Sequence, residues 1–199
     1  MEKTVLYIHG QGGDPEEAQH YRPLFNDCSV VGLDYAAQTP WEAKEEFPKL
    51  FDSACGQSES VTLIANSIGA YFAMCALSGL KIEKAFFISP IVDMEAMIRD
   101  MMAWGEVTDE ELHEKGVIKT CFGQTLSWEY LSYVREHPLD WHIPTHILYG
   151  KNDAFTSFSS ISEFAKKVGA TLTVLGNGEH WFHTAPQMRF LDGWLTSLI

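Results

Sequence analysis

Basic residues are scarce in this chain. Fourteen Lys and Arg stand against 27 Asp and Glu in 199 residues, a formal net charge of −13, and no Lys/Arg cluster reverses the sign locally. Such a field repels the phosphates of nucleic acid and of anionic lipid, so no nucleic-acid partner is expected, and heavily anionic substrates are disfavoured. Long hydrophobic runs are missing as well. Nothing approaches the roughly 18 uninterrupted apolar residues of a membrane span, and none is expected. Met1-Glu2-Lys3-Thr4 leads straight into an apolar run, with no basic segment or small-residue cleavage site, which reads as the absence of a signal peptide. Cysteine is sparse: Cys28, Cys55, Cys75 and Cys121 lie far apart with no Cys-x-x-Cys pair, as expected of buried, reduced thiols in a cytoplasmic protein. Neither Gly-x-Gly-x-x-Gly nor the Gly-x-x-x-x-Gly-Lys-Ser/Thr loop occurs, which excludes the usual phosphate cradles.

What is present is the composition of a folded globular chain, 46% apolar and 21% charged, long enough to bury a core without disulfides or metals. Residues 1–199 are expected to form a single domain. Short apolar or β-branched runs at Thr4–Ile8, Ser29–Leu33, Val61–Ala65, Ala85–Ile88, Thr145–Tyr149 and Thr171–Leu175 suit strands covered on both faces. Helical segments fit between them, at Trp41–Ala54, Ile68–Leu77 and Ser157–Val168, and Pro186–Leu198 closes the chain. This alternation predicts a doubly wound, mostly parallel α/β sheet of about six strands. Residues 91–141 break the rhythm, with no good strand and several helix signals. Among these are methionines at helical spacing from Met94 to Met102, a Thr108–Glu111 capping box, and a helix opened by Ser127 and ended by His137-Pro138. This interval is read as a small helical cap.

Three places, each following a predicted strand, carry chemistry. In Leu63-Ile64-Ala65-Asn66-Ser67-Ile68-Gly69-Ala70 a strand ends, a serine follows and a helix begins at once. A serine on so sharp a turn presents its hydroxyl above the sheet edge, and the close approach of its flanks requires small residues such as Ala65 and Gly69. Taken alone, the same serine could be a helix N-cap. The segment resembles the nucleophile elbow of the α/β-hydrolase superfamily, small-x-Ser-x-small, with Ala65 in place of the usual first Gly and Asn66 in place of a common His. The second place, Val5-Leu6-Tyr7-Ile8-His9-Gly10-Gln11-Gly12-Gly13, resembles that superfamily's oxyanion loop. The resemblance implies that the backbone N–H groups of Gln11 and Ile68 hold the oxyanion, with His9 fixing the loop.

The third place is a pair of segments. Thr145–Tyr149 runs into Gly150-Lys151-Asn152-Asp153, and Thr171–Leu175 into Gly176-Asn177-Gly178-Glu179-His180. Ser67, Asp153 and His180 follow the superfamily's chain order Ser…Asp…His. By that resemblance His180 takes and returns the Ser67 proton, while Asp153 holds the imidazole in its tautomer. Asp153 could instead cap a helix near Ser157, and His180 could be an ordinary loop residue. Asp93, after the Ala85–Ile88 run, and His183, three residues beyond His180, stand as substitutes for acid and base. Histidine pairs 180/183 and 142/146 lack a third metal ligand at sensible spacing, so no metal is expected.

The interval 91–141 carries Trp104, Phe122, Trp128, Tyr130, Tyr133 and Trp141, and Trp181-Phe182 follows His180. Most such aromatics pack helices, and a few facing Ser67 would favour apolar substrates. The resemblance implies a carboxylesterase-like serine hydrolase (EC 3.1.1 type) that cleaves a small ester or thioester without a cofactor. A peptidase or amidase, a C–C bond hydrolase, and a non-catalytic binding protein on the same fold stay open. The sequence does not choose between monomer and homodimer.

Overall fold

All six apolar runs find parallel partners in the computed structural model, which describes residues 3–199. The reading of the N-terminus as lacking a leader rests partly on Met1 and Glu2, which lie outside those residues. Along the chain come β1 (Lys3–Ile8), a 3₁₀ helix (Pro15–Leu24), β2 (Ser29–Gly32), α1 (Pro40–Cys55), β3 (Ser60–Asn66), α2 (Ser67–Ala76) and β4 (Lys84–Ile88). There follow α3 (Met94–Trp104), α4 (Asp109–Lys115), β5 (Val117–Lys119), β6 (Thr125–Ser127) and α5 (Trp128–Glu136). The chain ends with β7 (Thr145–Gly150), α6 (Phe158–Val168), β8 (Thr171–Leu175) and α7 (Ala185–Thr196). Residues 3–92 and 140–199 make one compact unit, and Asp93–Leu139 makes another.

The larger unit holds the sheet, in the order β2-β1-β3-β4-β7-β8, with every neighbouring pair parallel. Strand side chains alternate between faces. On one face Val5, Tyr7, Ile64, Phe86, Ile88 and Leu148 share a core with Ala18 and Tyr21 of the 3₁₀ helix and Leu191, Trp194 and Leu195 of α7. The opposite set, Leu6, Ile8, Leu63, Phe87 and Ile147, is buried as fully, so each strand reads as an unbroken apolar run. Reciprocal caps start the 3₁₀ helix, through Asp14 and Glu17, and two of the α-helices. Thr39 and Glu42 close the first turn of α1, and Thr184 and Gln187 that of α7, with Pro in each first turn where its missing N–H costs nothing.

The smaller unit corrects several expectations. It contains an antiparallel pair, β5 with β6, in an interval read as strand-free, since strands of three residues leave no periodicity to detect. Its bounds fall two residues inside 91–141 at each end. Trp141 belongs to the larger unit, fully buried against Phe87, its indole N–H donating to Thr145 Oγ1 at 2.8 Å. The Thr108 box is half formed: Thr108 Oγ1 accepts the Glu111 N–H, while the Glu111 carboxylate accepts from Lys115 Nζ at 2.6 Å. Arg135 ties the unit together through Glu95 at 2.8 Å and Asp109 at 3.1 Å. All four thiols are free; Cys55 is buried as expected, but Cys121 is exposed in the turn between β5 and β6. Among the described residues no helix is long and apolar enough to cross a membrane.

Candidate active site

The junction of β3 and α2 has no spare residue. Asn66 ends the strand, and Ser67 begins the helix with φ of +49°, the left-handed region that costs a non-glycine residue about 1–3 kcal/mol. Two glycines make room for it. A Cβ on Gly69 would lie 2.1 Å from the His9 carbonyl oxygen, and one on Gly10 would lie 3.2 Å from Ser67 Cβ. Ser67 does not serve as the helix cap. That position belongs to Asn66, whose side chain makes no cap bond, and the Ser67 hydroxyl sits 2.8 Å from His180 Nε2.

Asp153 and His180 lie 27 residues apart and meet because two loops touch at glycine. The Asn152 N–H donates to the Gly178 carbonyl at 2.8 Å, and the Lys151 N–H to that of Leu175 at 2.9 Å. A Cβ on Gly150 would fall 2.4 Å from the Glu179 carbonyl oxygen, and one on Gly178 2.9 Å from Gly150 Cα, so a side chain at either point would separate the loops. Asp153 Oδ2 lies 2.7 Å from His180 Nδ1. The other oxygen, Oδ1, accepts the N–H groups of Phe155 at 2.8 Å and Thr156 at 3.0 Å. The carboxylate is fully occluded and the imidazole 16% exposed, so a charge-assisted bond here is shielded from water.

The loop after β1 is braced. Its turn closes with the Gly13 N–H on the Gly10 carbonyl, and Gly12 takes φ of +73°. His9 Nδ1 lies 2.8 Å from the Gly10 carbonyl oxygen, Tyr35 Oη donates to the His9 carbonyl at 2.9 Å, and the two rings stack at 4.4 Å. Burial pushes the Tyr35 phenol up to about 12, so it stays a donor at ordinary pH. Gln11 follows the glycine that abuts Ser67, and Ile68 stands in the first turn of α2, where backbone N–H groups have no helical acceptor.

A second group behind Ser67 was not anticipated from the sequence. Asn66 Nδ2 donates to Tyr7 Oη at 2.8 Å, and Tyr7 Oη donates to Glu17 Oε2. Burial, above all, raises the Tyr7 pKa far beyond its ordinary value. The signal available was one hydroxyl inside the apolar run Val5–Ile8. Ser89, just past the end of β4, is also buried, at φ of +43°. Among the described residues, Asn66 Oδ1 and Ser89 Oγ are buried without a hydrogen-bond partner.

The remaining candidates are engaged elsewhere. Asp93 caps α3, its Oδ1 accepting the Ala96 N–H at 2.9 Å. His183 Nδ1 faces the Trp181 carbonyl oxygen at 2.7 Å. His142 pairs with Asp140, and His146 with Thr171. Among the described residues no three His, Cys, Asp or Glu side chains are grouped to hold a metal ion. A depression of about 430 Å³ along α1, lined by residues including Ala36, Ala37, Glu42, Glu46 and Lys49, contains none of Ser67, Asp153 or His180. Two of its carboxylates are used by the backbone: Glu46 accepts the Ala36 and Ala37 N–H groups, and Glu42 those of Gln38 and Thr39.

By sequence the chain matches no protein-family model and no curated protein. By structure it resembles many solved proteins. The mouse alpha/beta hydrolase domain-containing protein 10 superposes with a TM-score of 0.77 at 13% identity, over 98% of this chain and 88% of that one. Est1E from Butyrivibrio proteoclasticus gives 0.72 at 17% identity, over 98% and 86%. A lipase-esterase related protein from Clostridium acetobutylicum gives 0.67 at 15% identity, over 99% and 94%. At such identities the likeness shows the fold, and the fold is that of the α/β hydrolases.

Proposed function

We propose that this chain, built on the α/β-hydrolase fold, is a carboxylesterase-like serine hydrolase acting on a small carboxylic ester or thioester. The observation that carries the reading is the continuous line Ser67 Oγ–His180 Nε2, His180 Nδ1–Asp153 Oδ2, at 2.8 and 2.7 Å, on a backbone strained at the serine. Backbone outliers persist where surrounding structure holds them, and they cluster at functional sites.

In this reading Ser67 Oγ bonds to the acyl carbon as its proton passes to His180 Nε2. Asp153 stabilises the resulting imidazolium through Nδ1–H. The N–H groups of Gln11 and Ile68 receive the negative charge on the carbonyl oxygen; the loss of one such donor costs about 10²–10³ in rate. The C–O or C–S bond then breaks, and His180 returns its proton to the leaving alcohol or thiol. Water, deprotonated by His180, attacks the acyl-enzyme, and the acid leaves as Ser67 regains its proton. These steps use side chains, backbone and water alone. The Asp93–Leu139 unit is an insertion of cap type in this reading, and four free thiols support a cytoplasmic location.

The test is intact mass after incubation with a fluorophosphonate, together with hydrolysis of a panel of small acyl esters, for wild type and Ser67→Ala. A single adduct confined to wild type, with turnover falling by up to about 10⁶ in the variant, is the expected result. Ester hydrolysis retained in folded Ser67→Ala would overturn it.

A further inference from the structure

We propose that Phe155 forms the wall of the leaving-group side of this site and makes the enzyme selective for esters of aromatic alcohols. The inference rests on the hydrolase reading above and adds the chemical class of the alcohol.

Phe155 is held by the acid itself. Its backbone N–H donates to Asp153 Oδ1 at 2.8 Å, so the residue that orients His180 also fixes where this ring stands. The ring meets the His180 imidazole as an aromatic corner, with centroids 4.8 Å apart and planes at 61°. Even so, 46% of Phe155 is exposed, unlike Phe86 and Phe87, which are wholly buried. Exposure alone would not mark it, since Trp181 and Phe158 are more exposed; what does is that this half-open ring lies against the His180 imidazole, with a free apolar face beside the reactive group.

Chemistry assigns the side. The proton on His180 Nε2 goes to the oxygen that departs, so in acylation the alcohol portion lies next to the imidazole and the acyl portion points away from it. A ring packed on His180 therefore borders the alcohol. Once the alcohol has left, Phe155 has nothing of the substrate to touch, and the breakdown of the acyl-enzyme proceeds without it. An aromatic alcohol gains ring–ring geometry that a saturated ring of equal size lacks, worth about two- to tenfold.

Acetate esters of benzyl alcohol and of cyclohexylmethanol share the acyl group and differ only in the ring. With the full chain, kcat/KM is expected to favour the benzyl ester about fivefold. Phe155→Leu brings that ratio close to one, leaving the rate of acyl-enzyme breakdown and the labelling of Ser67 by fluorophosphonate within twofold. Phe158→Leu is the control: this ring is 55% exposed but packs towards Tyr149, and the variant retains the wild-type ratio. A ratio unchanged in Phe155→Leu, or absent in a wild type whose Ser67 labels, overturns the subsite alone. A variant that slows acylation and deacylation equally also overturns it, because the ring then acts on His180 rather than on the alcohol. No labelling and no turnover of either ester in wild type would count against the hydrolase reading itself.

Discussion

Two glycines receive the same methyl group with opposite consequences. At Gly69 a Cβ would stand 2.1 Å from the His9 carbonyl oxygen and 3.0 Å from Ile8 Cγ2. Ordinary contact begins near 3.4 Å, so 3.4 − 2.1 leaves 1.3 Å to be opened against backbone at the end of β1. Overpacking of this kind costs about 1–3 kcal/mol. In a chain of this size each kcal/mol moves the thermal midpoint by about 2–4 °C, so Gly69→Ala should lower it by about 2–12 °C. The same shift moves the loop bearing Gln11 relative to Ser67, and a misplacement near 1 Å costs on the order of 10² in rate. At Gly193, inside α7, a Cβ meets nothing within 4 Å. Gly193→Ala should therefore stabilise by about 0.5–1 kcal/mol through lower backbone entropy in the unfolded chain. Thermal unfolding and the second-order rate of fluorophosphonate labelling, measured on both variants, test the pair. A Gly69→Ala protein that melts and labels like wild type would refute the claim that this contact seats the elbow.

Three further outcomes follow from named groups. Ser67→Gly should melt about 2–4 °C above Ser67→Ala, since alanine keeps the left-handed strain at φ of +49° and glycine does not; equal midpoints would remove strain from the account. Tyr7→Phe removes the acceptor of Asn66 Nδ2 and the donor to Glu17, costing about 1–2 kcal/mol, a midpoint lower by about 2–8 °C, and slower labelling of Ser67; an unaltered labelling rate would mean that Asn66 does not need this anchor. His146, partly buried and stacked on Phe86, has its pKa held below the ordinary 6.5 by desolvation, and then by Lys84. The unfolded chain thus binds the proton more readily, and this contribution to stability is lost as pH falls below 6.5. Wild type should lose more of its midpoint between pH 7.5 and 5.5 than His146→Gln; parallel losses would contradict the sign.

The strands were legible because burial on both faces writes itself as uninterrupted apolar runs, α1 through the length and composition of Trp41–Ala54, and α7 through Pro186 in its first turn. The 3₁₀ helix was not, although Asp14 and Glu17 cap it reciprocally and Pro15 opens it, since it buries only Ala18 and Tyr21 and carries Pro23 within it. Trp141 was assigned to the wrong side of a boundary because an aromatic beside a Pro-containing turn carries no sign of which neighbour it packs on, and Thr145 decides it through the indole N–H. Tyr7 gave no warning either: a tyrosine in an apolar run reads as core, and its partners Glu17 and Asn66 lie 10 and 59 residues away.

The candidate site was more legible than its surroundings, for a topological reason. In a parallel sheet every strand ends at the same edge, so residues that each follow a strand in sequence become neighbours in space without further instruction. Ser67 follows β3, Asp153 follows β7 and His180 follows β8, and the order β3-β4-β7-β8 puts one strand between the first pair and none between the second. What strand order leaves undetermined is the last few ångströms, and these are set by glycines rather than by the chemical groups. Gly150 and Gly178 let two loops touch so that Asp153 reaches His180, while Gly10 and Gly69 let the β1 loop close on Ser67. The three candidate residues could be picked out by their position at strand ends. The small residues that bring them to 2.7 and 2.8 Å become distinguishable from ordinary turn glycines only when the opposing backbone is known.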